Sequence, residues 1–216
     1  MEVQRPIPLY MQVYQILREQ ILDGLFKPGE TLLESRIADQ LNVSRTPVRE
    51  ALRKLTSERL IVSDGSELRV ANPDTEAILE LYTCRSALEA IVAAKSSEIA
   101  EPAEIEEMEK TLNDAESAIQ NGSRVDSFTA NTRFHDLMVQ SARMPLLSEL
   151  LDTIRGPILI ARRQILAMSA EVERGILIEH RKILEAIRLR DPELARQRME
   201  EHMKHDMERV GIQSEE

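Results

Sequence analysis

The chain has 216 residues and a formal net charge of −10, with 42% hydrophobic and 31% charged residues. This composition predicts a globular protein of one large or two small domains and excludes a disordered chain. No apolar run approaches the roughly 18 residues that a membrane span needs, and the first ten residues carry no basic-then-apolar signal. A single cysteine, Cys84, excludes a disulfide framework. We therefore expect a cytoplasmic protein without a membrane partner.

Charge is distributed unevenly along the chain. Residues 1–70 hold 10 Lys+Arg and 10 Asp+Glu, whereas residues 71–216 hold 18 and 28, so the acidic excess lies entirely in the second part. Within residues 44–54 a single glutamate stands beside four basic residues: Arg45, Arg49, Arg53 and Lys54. This pattern predicts a local basic patch that meets phosphate while the acidic part stays away from it.

The strongest turn signal is Asp64-Gly65, which lies between the short apolar runs 60–62 and 68–70. Asp-Gly between two such runs is typical of a tight β-hairpin. Asn72-Pro73 then indicates a linker. We place a domain boundary there, which gives a first domain of residues 1–72 and a second domain of residues 73–216.

In the first domain, apolar periodicity predicts helices at about 8–23, 33–41 and 46–58. Thr46 is expected to cap the third helix, and Pro47 is expected to occupy its first position. Three helices followed by a small β-hairpin make a winged helix-turn-helix.

The second domain has few glycines in its interior, which is typical of long helices. Periodicity, prolines and breaks predict six helices, at about 74–100, 102–120, 124–142, 144–167, 170–189 and 191–210. Pro157 should kink the fourth of these. The predicted fold is therefore mainly α, with the winged helix-turn-helix followed by an antiparallel all-helical bundle.

The third helix of the first domain is a candidate recognition helix. Arg45 lies at its start and Arg49 one turn further on, and an arginine fork pairs well with guanine in the major groove. Ser44 and Thr46 offer hydroxyl groups to phosphates. The ordinary alternative is a solvated basic helix face, and the helix-turn-helix pattern with its neighbouring hairpin favours DNA.

Residues 8–62 resemble the DNA-binding domain of GntR-type bacterial transcription regulators, through the motifs PLY, Pro28-Gly29 and VSRTPVREAL. The resemblance implies contacts to bases or phosphates from Arg45, Thr46 and Arg49, and it places Arg36 near positions that touch DNA. Three departures stand out. Some relatives carry the arginine one residue before Arg36, where this chain has Ser35. The family usually has Glu-Gly-Leu at residues 58–60, where this chain has Glu-Arg-Leu, and its wing often carries a basic residue where this chain has an acidic tip.

Three histidines, His135, His180 and His202, lie on apolar stripes of three predicted helices. Such side chains can converge in a bundle core, and neutral imidazole is a common metal ligand. Asn131 lies one helical turn before His135. The alternative is that each histidine is an ordinary core residue with one satisfied hydrogen bond.

Residues 74–210 resemble the FCD (FadR C-terminal) domain, the helical effector module of the FadR subfamily, through RSALEAIVAAKS, NTRFHDLM and the segment IEHRKILEAIRLRDPELARQRMEEHM. The resemblance implies a divalent metal, zinc first and otherwise nickel or manganese, that receives a small carboxylate effector. It assigns the ligand positions to Asn131, His135, His180 and His202, with asparagine where the family usually has aspartate. His205, one turn from His202, is expected at the surface.

Arg85 shares a helix stripe with apolar residues, so it needs a partner. The ordinary partner is Glu89, one turn on, and the functional partner is an effector carboxylate held bidentately. The position matches an arginine of the family's ligand pocket. Arg162 and Arg163 are expected to be solvated, and Glu179 is expected to point to another face than His180.

The leading hypothesis is a transcription regulator, not an enzyme, that represses from a palindromic DNA operator as a homodimer. A small carboxylate effector, bound with the metal, would control the operator affinity. One alternative is a metal-free sensor of a larger ligand such as an acyl-CoA. The other is a metal-dependent hydrolase, against which stands the lack of a base motif such as HExxH.

Overall fold

The computed structural model describes residues 7–213. Their contacts divide into two compact units. The first holds the described residues up to Asn72 together with Thr153–Pro157, and the second holds Pro73–Asp152 and the described residues from Ile158 onward. No helix in the part of the chain that the structure describes is long and apolar enough to cross a membrane.

The first unit contains three helices, α1 (Leu9–Leu22), α2 (Glu34–Leu41) and α3 (Arg45–Ser57). Both α1 and α2 pack on α3, which presents an apolar face that is fully buried and consists of Val48, Ala51, Leu52 and Leu55. Burying one such Leu or Val side chain stabilises the unit by about 1.5–3 kcal/mol. The inner face of α3 is thereby fixed, and the opposite face stays in solvent.

The first unit also carries a three-stranded antiparallel sheet of order β1-β3-β2, formed by β1 (Thr31–Leu32), β2 (Ile61–Asp64) and β3 (Glu67–Val70). Strands β2 and β3 form the predicted hairpin, with Asp64 opposite Glu67. Gly65 lies at its tip with φ +63°, a conformation that glycine adopts without steric cost. The two-residue strand β1 was not predicted, because so short a segment carries no alternation of polar and apolar residues.

The start of α3 differs from the prediction. Helix α3 begins at Arg45, so Ser44 occupies the capping position and Thr46 lies inside the first turn. The prediction that Thr46 caps the helix is therefore wrong, and Pro47 is the third helical residue and not the first. The Ser44 side chain makes no capping hydrogen bond.

The structure has six helices after β3, as the sequence predicts, with these bounds: α4 Thr75–Ile99, α5 Pro102–Gln120, α6 Arg124–Ser141, α7 Pro145–Leu166, α8 Ala170–Arg188 and α9 Pro192–Gln213. Prolines start α5, α7 and α9. The side chains of Asp74, Ser123 and Ser169 cap α4, α6 and α8 by accepting backbone N–H bonds. These local signals explain why the predicted and observed bounds agree within one to three residues.

Within the second unit, α4 packs against α9, α6 and α8, and α8 also packs against α9. These four helices enclose a core in which most side chains are apolar, but several buried ones are polar or charged. The fold is the mainly helical one that the sequence predicts: a winged helix-turn-helix and a helical bundle.

Candidate metal centre and DNA-binding surface

Three histidines meet in the core of the helical unit, one each from α6, α8 and α9. His135, His180 and His202 are at most 3% exposed, and one ring nitrogen of each lies within 4.8 Å of one from the other two. The Nε2 atoms of His180 and His202 are 3.2 Å apart. Nitrogens bound to one zinc ion at about 2.0–2.1 Å lie at comparable separations. The sequence prediction that these three side chains converge is therefore met by the geometry.

Asn131 lies one turn before His135 on α6 and is also buried. Its Oδ1 atom is buried and accepts no hydrogen bond from any residue that the structure describes. Asn131 and His180 line the same small cavity. A buried amide oxygen without a donor costs free energy unless another group binds it. The four predicted residues thus fit a divalent cation, with one oxygen and three nitrogens as its ligands.

The protonation state of His180 also suits a metal. Burial, followed by the charges of the neighbouring histidines, lowers the pKa of His180 well below its usual range. The imidazole is therefore neutral at physiological pH, and a metal ligand must be neutral imidazole. Burial is the larger cause, and it lowers the pKa of His180 whether or not the other two rings are charged.

A buried ion pair lies beside the histidines. Arg85 is 0% exposed, and its Nε donates to Glu89 Oε1 at 2.6 Å. Glu89 Oε2 lies 2.5 Å from His135 Nδ1. Burial would lower the pKa of Arg85, but the charges of Glu89, Tyr82 and Asp206, together with the hydrogen bond to Glu89, outweigh burial and raise that pKa. The ordinary partner that the sequence offers for Arg85 is thus present.

Arg85 nevertheless keeps unused donor capacity. Its Nη1 atom makes no hydrogen bond within the described residues and lies 3.9 Å from Asp206. Its Nη2 atom lies 3.1 and 3.2 Å from the two ring nitrogens of His135. The guanidinium is therefore next to the histidines, where it would meet an anion that joins a metal there.

Arg162 is a second buried arginine in this region, and the expectation that it is solvated is wrong. It is 6% exposed, and its Nη1 donates to Thr132 at 3.3 Å. Burial, followed by the charge of Arg85, lowers the pKa of Arg162 to about 10. In the sequence, Arg162 lies between the apolar residues 158–161 and 165–166, and this pattern could have indicated that it is buried. His205 is 47% exposed, as expected.

Glu179, which precedes His180 on α8, contacts residues of α9. Its carboxylate accepts from His202 Nδ1 at 2.8 Å, from His205 at 2.9 Å and from Arg209 at 2.6 Å. Burial would raise the pKa of Glu179, but the hydrogen bonds from His202 and Arg209 lower it to about 2. The sequence did not predict these contacts of Glu179, because its partners His202, His205 and Arg209 all lie on another helix.

The candidate DNA-binding residues lie on the first unit. Ser44, Arg45, Thr46 and Arg49 are all exposed at the start of α3, and Arg36 is exposed on α2. Arg45 and Arg49 are four residues apart and share one helix face. Arg49 also donates to Glu34 of α2 at 3.0 and 3.2 Å, and this contact raises its pKa. The structure thus places two exposed guanidinium groups together at the first turns of α3.

The wing carries little available positive charge. Arg69 is the basic residue of the hairpin, and it forms ion pairs with Asp64 at 3.3 Å and Glu67 at 2.6 Å. The tip itself is acidic. This geometry agrees with the departure from the family pattern noted in the sequence.

Comparison with known proteins gives consistent matches. Residues 80–205 match the FCD domain, and residues 9–66 match the bacterial regulatory proteins of the gntR family. The chain is 31% identical to the HTH-type transcriptional regulator YdhC of Bacillus subtilis over 211 residues, which cover 97% of this chain and 94% of YdhC. It is 28% identical to the HTH-type transcriptional repressor RspR of Escherichia coli over 204 residues, 94% of this chain and 89% of RspR.

Among solved structures, E. coli McbR/YncC superposes with a TM-score of 0.84 at 25% identity, and the match covers 97% of this chain and 100% of that one. The resemblance inferred from the motifs is therefore confirmed. The chain belongs to the GntR family of bacterial transcription regulators, with a GntR DNA-binding domain followed by an FCD domain.

Proposed function

We propose that this GntR-family regulator is a repressor whose affinity for its operator is controlled by a small carboxylate bound, together with a divalent metal, in the helical domain. The single observation that carries the proposal is the convergence of three buried histidines and the unpartnered Oδ1 of Asn131 beside the Arg85 guanidinium. The similarity of this chain to RspR of E. coli, which is described as a repressor, supports the direction of control.

The ligand chemistry follows from charge. Three neutral imidazoles and one neutral amide would bring no negative charge to a divalent cation, so an anion is needed to balance it. Arg85 offers an Nη1 donor without a hydrogen bond, and Arg162 offers a second buried positive charge. A carboxylate that binds the metal and Arg85 at once would meet both needs.

On the DNA side, we propose that Arg45 and Arg49 contact bases or nearby phosphates and that Ser44 and Thr46 contact phosphates. Arg36, which is exposed on α2 next to the position where some relatives carry the arginine, is proposed to lie near the DNA as well. A single helix-turn-helix reads few base pairs, so we propose a homodimer on a palindromic operator. The protein would act in the cytoplasm, where its DNA is.

A sensor fits the site better than a hydrolase. Glu179 is the acidic residue next to His180 in sequence, but it contacts Nδ1 of His202 and not the inward Nε2 side. It is therefore badly placed as a general base for a metal-bound water. Zinc is the first candidate metal, followed by nickel and manganese.

Fluorescence anisotropy on a labelled duplex selected from random sequence tests the proposal. Untagged protein is stripped with a chelator and then titrated with DNA alone, with ZnCl2 or NiCl2 or MnCl2, and with each metal plus a panel of small mono-, di- and tricarboxylates. We expect tight binding without acid and an at least tenfold weaker affinity when one acid and metal are both present.

The same acids are recovered unchanged after incubation if the domain senses them, and turnover would assign a hydrolase instead. An acid response that needs no metal, or a response only to an acyl-CoA, would replace the metal-dependent mechanism by that of a metal-free sensor.

A further inference from the structure

Two carboxylates contact the histidine cluster from its outer sides. Glu89 lies 2.5 Å from His135 Nδ1, and Glu179 lies 2.8 Å from His202 Nδ1. Neither carboxylate was assigned a part in the metal centre. The contact to Glu179 is the more informative one, because Glu179 belongs to α8, the helix of His180, and contacts His202 of α9.

We propose that Glu179 is a positioning residue for His202, which holds the ring so that its Nε2 atom is the metal-binding nitrogen. This inference rests on the metal site proposed above. An ionised carboxylate can only accept hydrogen bonds, so the proton of His202 must lie on Nδ1. The lone pair of Nε2 then faces His180 Nε2, 3.2 Å away. Metal-ligating histidines are oriented in this way by outer carboxylates in many proteins.

Glu179 is itself held firmly. Arg209 donates to its two oxygens at 2.6 and 3.1 Å, and His205 Nδ1 lies 2.9 Å from Oε1. Arg209 also donates to Asp206 at 2.8 Å. With several donors fixing it, the carboxylate cannot swing away without losing strong charge-assisted hydrogen bonds. His202 is therefore presented with one orientation.

The supports of the two histidines are joined. Asp206 lies between Arg85, at 3.9 Å, and Arg209, at 2.8 Å. The result is a series of alternating charges that runs through the unit, in the order Glu89, Arg85, Asp206, Arg209, Glu179. We call this series the charge chain. One end contacts His135 and the other contacts His202.

A second metal site at Glu179, His202 and Asp206 is the competing interpretation, because their ligand atoms are mutually close. The position of Arg209 argues against a second metal site. Its guanidinium already lies on both carboxylates and supplies the positive charge that a cation would bring. A cation there would meet the repulsion of that fixed charge. The geometry thus points to support of His202 and not to a second site.

The test uses the full-length protein with Glu179→Gln, and with Glu185→Gln as the matched control. Glu185 is an exposed glutamate further along α8 that pairs only with Arg188 at 3.4 Å in the contacts described. Zinc affinity is measured by competition with a chromophoric chelator. We expect a 10–100-fold loss for Glu179→Gln, the usual effect of removing an outer partner of a ligand histidine, and less than a twofold change for the control.

A second measurement needs no metal. Long-range ¹H–¹⁵N correlation on metal-free wild-type protein reports which ring nitrogen of His202 carries the proton, and we expect Nδ1. In Glu179→Gln the side-chain amide can also donate, so we expect a mixture of the two tautomers. A structural tie between α8 and α9 alone would change the melting temperature but not the tautomer.

The outcomes separate the two proposals. If wild-type protein binds no zinc, the metal site is wrong, while an Nδ1-protonated His202 that changes in Glu179→Gln still supports positioning by Glu179. If His202 carries its proton on Nε2, or if Glu179→Gln keeps both the tautomer and the zinc affinity, the role given to Glu179 is overturned.

Discussion

The two units use arginine in opposite ways. Arg45 and Arg49 stand in solvent on α3, whereas Arg85 and Arg162 are buried in the helical core. An exposed guanidinium costs little to keep charged, and it is available to any polyanion that approaches. The charge of a buried guanidinium must be compensated by a partner, so it can bind only a group that enters the core. The same side chain therefore suits a long phosphate backbone in one unit and a small acid in the other.

Salt gives the largest expected contrast. Operator binding should weaken by about 10³-fold between 50 and 200 mM NaCl, because a dimer that contacts six or more phosphates releases counterions. Zinc binding in the buried core should change by only a few fold, since screening acts weakly there. Parallel titrations by anisotropy and chelator competition measure both. A flat salt response of operator affinity would count against Arg45 and Arg49 as DNA contacts.

His135→Ala tests the core half of the comparison. We expect zinc affinity to fall by more than about 100-fold, beyond the loss that an outer partner causes, because a ligand itself is removed. Operator binding without effector should persist, because His135 belongs to the other unit. Metal content of untagged protein and anisotropy on the operator give the two readings. Equal zinc content in wild type and variant would exclude His135 as a ligand.

Arg45→Ala and Arg49→Ala test the surface half. Each should cost about 1–3 kcal/mol of operator binding and relax specificity at one operator position, if the side chain pairs with a base. Folding should be unaffected, because both side chains are exposed. Arg59→Gly is the control for the reading of folding. Arg59 has φ +56°, a conformation that glycine adopts without steric cost, so this variant should slightly raise the melting temperature. A uniform loss on all sequences would reduce Arg45 and Arg49 to phosphate contacts.

Asn131→Asp gives the smallest of these effects. A carboxylate adds negative charge beside the cation, so we expect zinc affinity to rise by about tenfold, a difference of about 1.4 kcal/mol. The added charge also balances the metal, so the acid effector should be held less tightly. Chelator competition and effector titration measure the two changes. An unchanged or lower zinc affinity would place Asn131 outside the ligand set.

Much of this architecture could be predicted from the sequence. Prolines and capping residues fix the helix ends locally, which is why the bounds of α4 to α9 were predictable. The converging histidines were also predictable, because each lies on the apolar stripe of its own helix. The distances between the three histidines depend on how the helices pack against one another, and the pattern of a single helix does not fix that packing.

The misses have the same physical origin. Arg162 lies five residues after Pro157 and directly before Arg163, which suggested a solvated segment, yet packing in the unit buries it. Glu179 was considered only relative to its neighbour His180, while its partners lie on α9. Strand β1 is too short to show a pattern, and it forms because β3 offers it an edge. In each case the decisive partner is distant in sequence.

The uncapped start of α3 has one more consequence. The first turns of α4, α6 and α8 each donate a backbone hydrogen bond to an N-cap side chain. Helix α3 has no such capping hydrogen bond and no acidic residue in its first turn. Its first backbone N–H groups therefore carry an uncompensated partial positive charge, and the turn should fray more readily. A DNA phosphate would bind those N–H groups, so we expect amide hydrogen exchange at Arg45, Thr46 and Val48 to slow when the operator binds; Pro47 has no amide hydrogen.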